Sequence, residues 1–282
     1  MRILILDGYN LIYRARYSGM NKGEHSVIFN FFRSLRPLVE KFNPDVAYMV
    51  LEGKPVKRLS IDPNYKGQRV YHNDDNFNEQ RKSIISILEK FYPINIVKHN
   101  DYECDDVIGY LADKHKADSD VTIISSDTDF IQCIEDNVHL YNPVRKKFIE
   151  KPEYDYVLWK SLKGDASDNI DGFVGIGDKK AKKLCTNPEA LEKFLLEEGR
   201  QDKLNRNLEM IRLHDLTEDV SGILHYPKLH VEKWQELKDL FTSYDFSSMV
   251  SKETSWNKYT NTFNQLFQEK QWQQLQTKHK EH

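Results

Sequence analysis

Three apolar runs of strand length, each closed by an acidic residue, constrain this chain more than any other feature. Residues 2–6 lead into Asp7-Gly8, residues 46–51 into Glu52-Gly53, and residues 121–124 into Ser125-Ser126-Asp127-Thr128-Asp129. Each reads as a buried strand followed by a turn. Between them run helical stripes: Val27, Phe31, Leu35, Leu38 and Phe42; Ile84, Ile85, Leu88 and Phe91; Val107, Ile108 and Leu111. Residues 94–97 read as a further strand, and 138–141 with 147–149 as a late pair. Strands alternating with helices specify an α/β fold with a mostly parallel central sheet flanked by helices.

Beyond residue 155 the strand signal fades. Residues 159–163 end a helix, a Gly-rich turn follows at 172–177, and helices are expected over 188–198, 203–213 and around 231–241. Residues 265–282 are polar and Gln/Lys-rich, as in a frayed helix or tail. The expected organisation is an α/β core over 1–155 with a basic, arch-like excursion at about 54–82. A helix-hairpin-helix region over 156–200 and a mainly helical region over 201–282 complete it. With 282 residues, 39% of them hydrophobic, a sizeable core is expected and wholesale disorder is excluded. No apolar run approaches the roughly 20 residues of a membrane span. Three scattered cysteines, Cys104, Cys133 and Cys185, suggest neither a disulfide framework nor a zinc site. The expectation is a cytoplasmic protein without a leader or membrane association.

In an open α/β sheet, ligands bind beyond the carboxyl ends of the strands, and acids collect at those ends here. Asp7, Glu52, Asp127 and Asp129 follow strands; Glu103, Asp105 and Asp106 open the helix before the third strand. Asp165 and Asp168 lie in the run Gly164-Asp-Ala-Ser-Asp-Asn169. Any one alone reads as a helix N-cap or a favourable first-turn charge. Gathered on one edge they would repel and raise one another's pKa unless multivalent cations intervened. Oxygen ligands without His or Cys favour Mg²⁺ or Mn²⁺. The charge balance is consistent with this. The net charge is −3, from 41 basic and 44 acidic residues, but without these nine acids 41 basic stand against 35 acidic. A near-neutral total thus conceals a surface able to bind phosphate.

Two further segments carry phosphate-binding character. Gly175-Ile-Gly177 precedes Lys179, Lys180, Lys182 and Lys183, but Asp178 intervenes where a P-loop requires Lys, and no strand leads in. A helix-hairpin-helix, with backbone N–H groups and a helix N-terminus toward a phosphate, accounts for it; so does a helix C-cap beside a solvated Lys run. In the excursion, Tyr65-Lys-Gly-Gln-Arg69 and the following Val70-Tyr-His interleave aromatic and basic side chains. They suit a single strand, with Tyr65 against bases and Lys66 and Arg69 on phosphates, or simply a solvated loop.

In this order, Ile5-Leu-Asp-Gly8, Tyr65-Lys-Gly-Gln-Arg69, Tyr102-Glu-Cys-Asp-Asp106, Ser126-Asp-Thr-Asp129, Gly164–Asn169 and Gly175-Ile-Gly-Asp-Lys179 resemble the 5′ nuclease family. That family comprises flap endonucleases and the 5′→3′ exonuclease domains of bacterial polymerases. The spacing is most similar to phage-type members such as the ribonuclease H of T-even phages. The resemblance covers residues 1 to about 185. It implies a PIN-like 5′ nuclease core acting on 5′ flaps, 5′ ends and RNA–DNA hybrids, removing primers or flaps in replication. Two Mg²⁺ ions about 4 Å apart, replaceable by Mn²⁺, would flank the scissile phosphate. Glu103, Asp105, Asp127 and Asp129 would form the tighter site, Asp165 and Asp168 the second, with Asp7 and Asp106 supporting through water. The family has Asp where Glu52 stands, so Glu52 would reach metal through a water. Lys66 and Arg69 would be the catalytic arch cations. Gly175, Gly177, Lys179, Lys180 and Lys183 would hold the duplex, with K⁺ at the hairpin. The resemblance further implies a monomer working beside a single-strand-binding protein and a polymerase. Two alternatives are a PIN-type ribonuclease and a non-catalytic structure-specific DNA-binding protein.

Overall fold

The computed structural model describes residues 1–19, 23–69, 74–226 and 231–267. The chain opens with β1 (Arg2–Asp7), α1 (Gly8–Arg16), α2 (Ser26–Phe42), β2 (Val46–Leu51), α3 (Val56–Ile61), α4 (Asp75–Phe91), β3 (Asn95–His99) and α5 (Cys104–His115). It continues with β4 (Asp120–Ile124), a 3-10 turn (Asp129–Cys133), β5 (Val138–Asn142), β6 (Lys147–Ile149), α6 (Tyr156–Lys163) and a miniature hairpin, β7 (Gly164–Asp165) and β8 (Ile170–Asp171). Then come α7 (Asp178–Cys185), α8 (Pro188–Leu195), α9 (Arg200–Ile211), β9 (Ile223–His225), α10 (Trp234–Ser243), α11 (Ser247–Val250) and α12 (Glu253–Asn264).

Among the described residues the main sheet runs in the order β6-β5-β4-β1-β2-β3-β9. The five central strands are parallel, and β6 and β9 close the edges antiparallel. The sheet is covered on both faces, so its middle strands β1 and β2 are near-continuous apolar runs rather than alternating with polar residues. Successive side chains of β1 still divide by face. Leu4 and Leu6 join α1, α2, α4 and the C-terminal helices in one cluster. Ile3 and Ile5 join α5, the 3-10 turn and Leu216 in the other. Because the central strands are parallel, Asp7, Glu52 and Asp127 emerge at the same edge.

Three expectations are corrected. The excursion is anchored for much of its length: α3 forms within it, and α4 begins at Asp75, capped by the Asp74 carboxylate on the Phe77 N–H (3.0 Å). Val70-Tyr-His lies outside the described residues, as does the tail from residue 268. Second, the fading strand signal beyond residue 155 concealed one strand of the main sheet. The three-residue β9 pairs with β3, but it is too short to register as a pattern. Third, residues beyond 200 do not form a separate region. Phe241, Phe246, Trp256 and Phe263 are buried in the same cluster as Phe32 and Tyr92. No described helix is long and apolar enough to cross a membrane.

Candidate active site

Asp7 ends β1 and caps α1, accepting the Asn10 N–H on Oδ1 (3.0 Å), while Oδ2 accepts the Ser125 hydroxyl (2.7 Å). The capping and site readings therefore both hold for this residue. Glu103 occupies the N-cap position of α5 without capping it, because its side chain turns toward Arg58, Tyr65 and Lys66. Asp105 faces Asp7, Glu52 and Asp127, and Asp127 accepts the Asp129 N–H (2.9 Å). Asp165 shapes its own loop by accepting both the backbone N–H (2.9 Å) and the hydroxyl (2.6 Å) of Ser167. The sharp exit from α6 needs Gly164, at φ +86°, where a Cβ would lie 2.2 Å from the Gly172 nitrogen.

The base of the excursion docks on that loop. Lys66 N–H donates to the Asp168 carbonyl (3.0 Å), Gln68 to the Ala166 carbonyl (2.6 Å), and Arg69 to the Asp168 carboxylate (2.6 Å). Lys66 adopts φ +55°, an unfavourable conformation for a side-chain-bearing residue, held by these contacts. The result is two clefts that share Lys66, Arg69, Asp105 and Asp127. One, of about 610 Å³, is lined by Asp129, Asp165, Asp168, Lys160 and Lys163; the other, of about 1210 Å³, by Asp7, Glu52, Glu103, Tyr13, Arg14 and Arg81. Eight of the nine expected acids line one or both.

Asp106 is the exception. Both its oxygens bond to Arg58 (2.8 Å each), and Oδ1 also accepts the His214 N–H (2.9 Å). Its carboxylate is a buried counter-ion for Arg58 and lines neither cleft. Tyr65 is also corrected. It is 5% exposed, and its hydroxyl lies 3.0 Å from both Glu103 and Asp168, so no ring face is offered to a base. Asp129, expected beside Glu103, Asp105 and Asp127, lies with Asp165 and Asp168, one carboxylate oxygen of each being within 4.8 Å of the others.

Burial dominates the electrostatics. It pushes the Asp7 carboxyl up to about 7, with Asp127 and Glu52 adding to the rise. Burial likewise raises Glu52, Asp105 and Asp129, each further raised by neighbouring carboxylates. The Cys104 thiol, held protonated by burial and by Asp105, donates to the Asp105 carboxylate (3.2 Å). Burial disfavours the charged forms of Lys66 and Lys160, but adjacent carboxylates prevail and keep both above the ordinary lysine value. Lys66 bonds Glu103; Lys160 bonds Asp129 and, at 2.6 Å, Asp165. Lys160 is a site residue that the sequence pattern did not single out. Its only signal was a helical position one turn before Gly164-Asp165.

Gly175, Gly177, Lys179, Lys180 and Lys183 lie exposed on the turn and along α7, and none of them lines either cleft. Gly175 has φ +75°, and Gly177 precedes α7 with no side-chain cap on the helix. Leu162 of α6, Phe173 of the turn and Ala181 of α7 share one small core, so α6 and α7 pack together across the turn.

A family model described as the 5′-3′ exonuclease N-terminal, resolvase-like domain matches residues 2–158. A 5′-3′ exonuclease of Mycoplasmopsis pulmonis is 30% identical over 206 residues, covering 68% of this chain and 69% of that protein. One of Aquifex aeolicus is 30% identical over 253 residues, covering 83% and 85%. DNA polymerase I of Bacillus subtilis is 31% identical over 231 residues, 74% of this chain but only 26% of the polymerase. The solved structure of the bacteriophage T5 flap endonuclease, in complex with DNA and metal ions, superposes with a TM-score of 0.65 at 18% identity, covering 95% of this chain and all of that one. At that identity the likeness shows the fold.

Proposed function

The chain belongs to the 5′-3′ exonuclease family, and from that premise we propose that it is a structure-specific 5′ nuclease that hydrolyses phosphodiesters at 5′ ends and 5′ flaps of DNA. The observation that carries this reading is the convergence of eight carboxylates with Lys66, Arg69 and Lys160 where two clefts meet.

The donor set fits divalent cations. Its charged donors are all carboxylates, no histidine lines either cleft among the described residues, and Cys104, which lines the larger cleft, is held as the neutral thiol by burial and by Asp105, while burial raises several of the carboxylates. Asp129, Asp165 and Asp168 would hold one ion; Asp7, Asp105 and Asp127, with Glu52 and Glu103 beside them, would hold another. Mg²⁺ is the favoured species and Mn²⁺ its substitute. Bound there, such ions supply an acidified water and neutralise charge on the phosphate. The chain's own groups do the rest. Lys66 and Arg69 stand at the junction of the clefts, and with Lys160 they meet the negative charge that grows on the phosphate in the transition state. Tyr65 fixes Glu103 and Asp168. The exposed turn before α7 presents backbone N–H groups and lysines to duplex phosphates away from the cut, a sequence-independent grip. Products carry a 5′-phosphate and a 3′-hydroxyl.

Removal of RNA primers or flaps during replication, including cleavage of RNA–DNA hybrids, is the role this activity would serve. Competition among a 5′-flap duplex, an RNA–DNA hybrid and single-stranded RNA tests the reading. Preferential cleavage of the flap and hybrid supports it; preference for single-stranded RNA replaces it with a PIN-type ribonuclease.

A further inference from the structure

Arg58 uses every donor it has. Nε donates to the Met210 carbonyl (2.9 Å), Nη1 to Glu103 and to Asp106 (2.8 Å each), and Nη2 to Asp106 (2.8 Å) and to the Arg212 carbonyl (3.0 Å). It is 4% exposed and lies outside both clefts. Five N–H groups in one planar fork are what only arginine supplies.

Three side chains orient Glu103. Two of them, Lys66 and Tyr65, also contact Asp168 and so are shared between the two groups of acids. Arg58 does not. Its other bonds go to the buried Asp106 and to carbonyls at and just beyond the end of α9. A helix end leaves such carbonyls unpaired, and a cation is favoured there. That helix in turn braces α6 and the turn before α7. Lys203 bonds the Gly172 carbonyl (2.8 Å), and Asn207 bonds the Ser161 and Asp171 carbonyls (2.9 Å each). One guanidinium therefore joins the base of the excursion, the acid cluster and the helix supporting the duplex grip.

We infer that Arg58 is a positioning residue that sets the Glu103 carboxylate for cation binding and ties it to the end of α9. The inference rests on the nuclease reading but is tested apart from it. A double-mutant cycle of Arg58→Lys and Glu103→Gln, read by calorimetry with Mn²⁺ on the full chain, needs no turnover. Arg58→Lys keeps the charge and loses the fork; it should weaken Mn²⁺ binding roughly tenfold alone and less than about threefold beside Glu103→Gln. In single-turnover cleavage it should slow the bound flap about thirtyfold while changing flap affinity less than about threefold. Asp106→Asn leaves Arg58 its Glu103 bond and both carbonyls; it should show the same Glu103-dependent pattern in weaker form, and it serves if Arg58→Lys melts below the assay temperature. Equal losses with and without Glu103→Gln would overturn the inference, as would normal Mn²⁺ binding by both Arg58→Lys and Asp106→Asn. A wild-type protein that binds Mn²⁺ but cleaves no 5′-ended substrate would instead refute the nuclease reading, leaving the binding cycle to decide the role of Arg58.

Discussion

Lys160 Nζ lies 2.6 Å from Asp165 Oδ2 while also bonding Asp129 Oδ1, so one lysine spans two carboxylates of the group that also contains Asp168. A cation held by these acids, as proposed, would compete with the ammonium for the same oxygens. Removing a charge this close in a half-buried site is a several-kcal/mol perturbation at most. Lys160→Met should therefore tighten Mn²⁺ binding by at least about tenfold in calorimetry while slowing cleavage, since the same lysine faces the phosphate. Unchanged or weaker Mn²⁺ binding would show that lysine and ion do not compete.

Asp129→Asn should reduce flap cleavage by roughly a thousandfold or more and leave flap affinity within about threefold, because the loss falls on charge stabilisation and not on the duplex grip. Fluorescence anisotropy beside single-turnover cleavage separates the two. Full turnover by this variant would remove Asp129 from the site.

Asp106→Ala addresses stability. It strips the buried Arg58 of two of its five bonds, and breaking a buried pair from one side costs about 3–5 kcal/mol. Urea unfolding should register that loss. A variant as stable as the parent but unable to bind Mn²⁺ would return Asp106 to the ligand set.

The raised carboxylates set a pH dependence for the cation-free protein. Asp7 keeps its proton in the fold up to about 7 but loses it near 3.8 when unfolded. Between those values the folded state binds more protons, so stability falls as pH rises, with Glu52, Asp105 and Asp129 acting in the same direction. In EDTA the melting temperature should drop from pH 5 to pH 8, and Mg²⁺ should restore more of it at pH 8 than at pH 5. His214 and His225, held below the usual imidazole range by burial, act the other way, so Asp7→Asn is the control: its melting temperature should drop less than the parent's over this range, and an equal drop would contradict the burial of Asp7.

Lys179, Lys180 and Lys183 should act through phosphates. Each change to Ala should weaken duplex binding uniformly across sequences and lower the salt slope by about one. A sequence-dependent loss would argue against a backbone grip.

The sheet and the acids at its edge were legible because buried parallel strands are continuous apolar runs and each turn announces itself with Asp or Glu beside Gly or Ser. The family motifs then supplied Lys66, Arg69, Asp165 and Asp168. What the sequence hid depends on distant partners. Asp106 sits in a run of acids identical in pattern to its neighbours, and only Arg58, 48 residues earlier, makes it structural. Tyr65 read as an exposed aromatic because the loop that buries it lies about a hundred residues on, at Asp168. Lys160 looked like an ordinary helix-surface lysine until the fold carried Asp129 to it. The pairing of β9 with β3 was invisible for a simpler reason: a three-residue strand has no period.

Product analysis on a 5′-labelled flap duplex, with Mg²⁺ and with EDTA, tests the central claim most directly. A short labelled fragment ending in a 3′-hydroxyl should be released with Mg²⁺ or Mn²⁺ and be absent both in EDTA and with Asp129→Asn. Cleavage that persists in EDTA, or an intact flap in the presence of either ion, would contradict it.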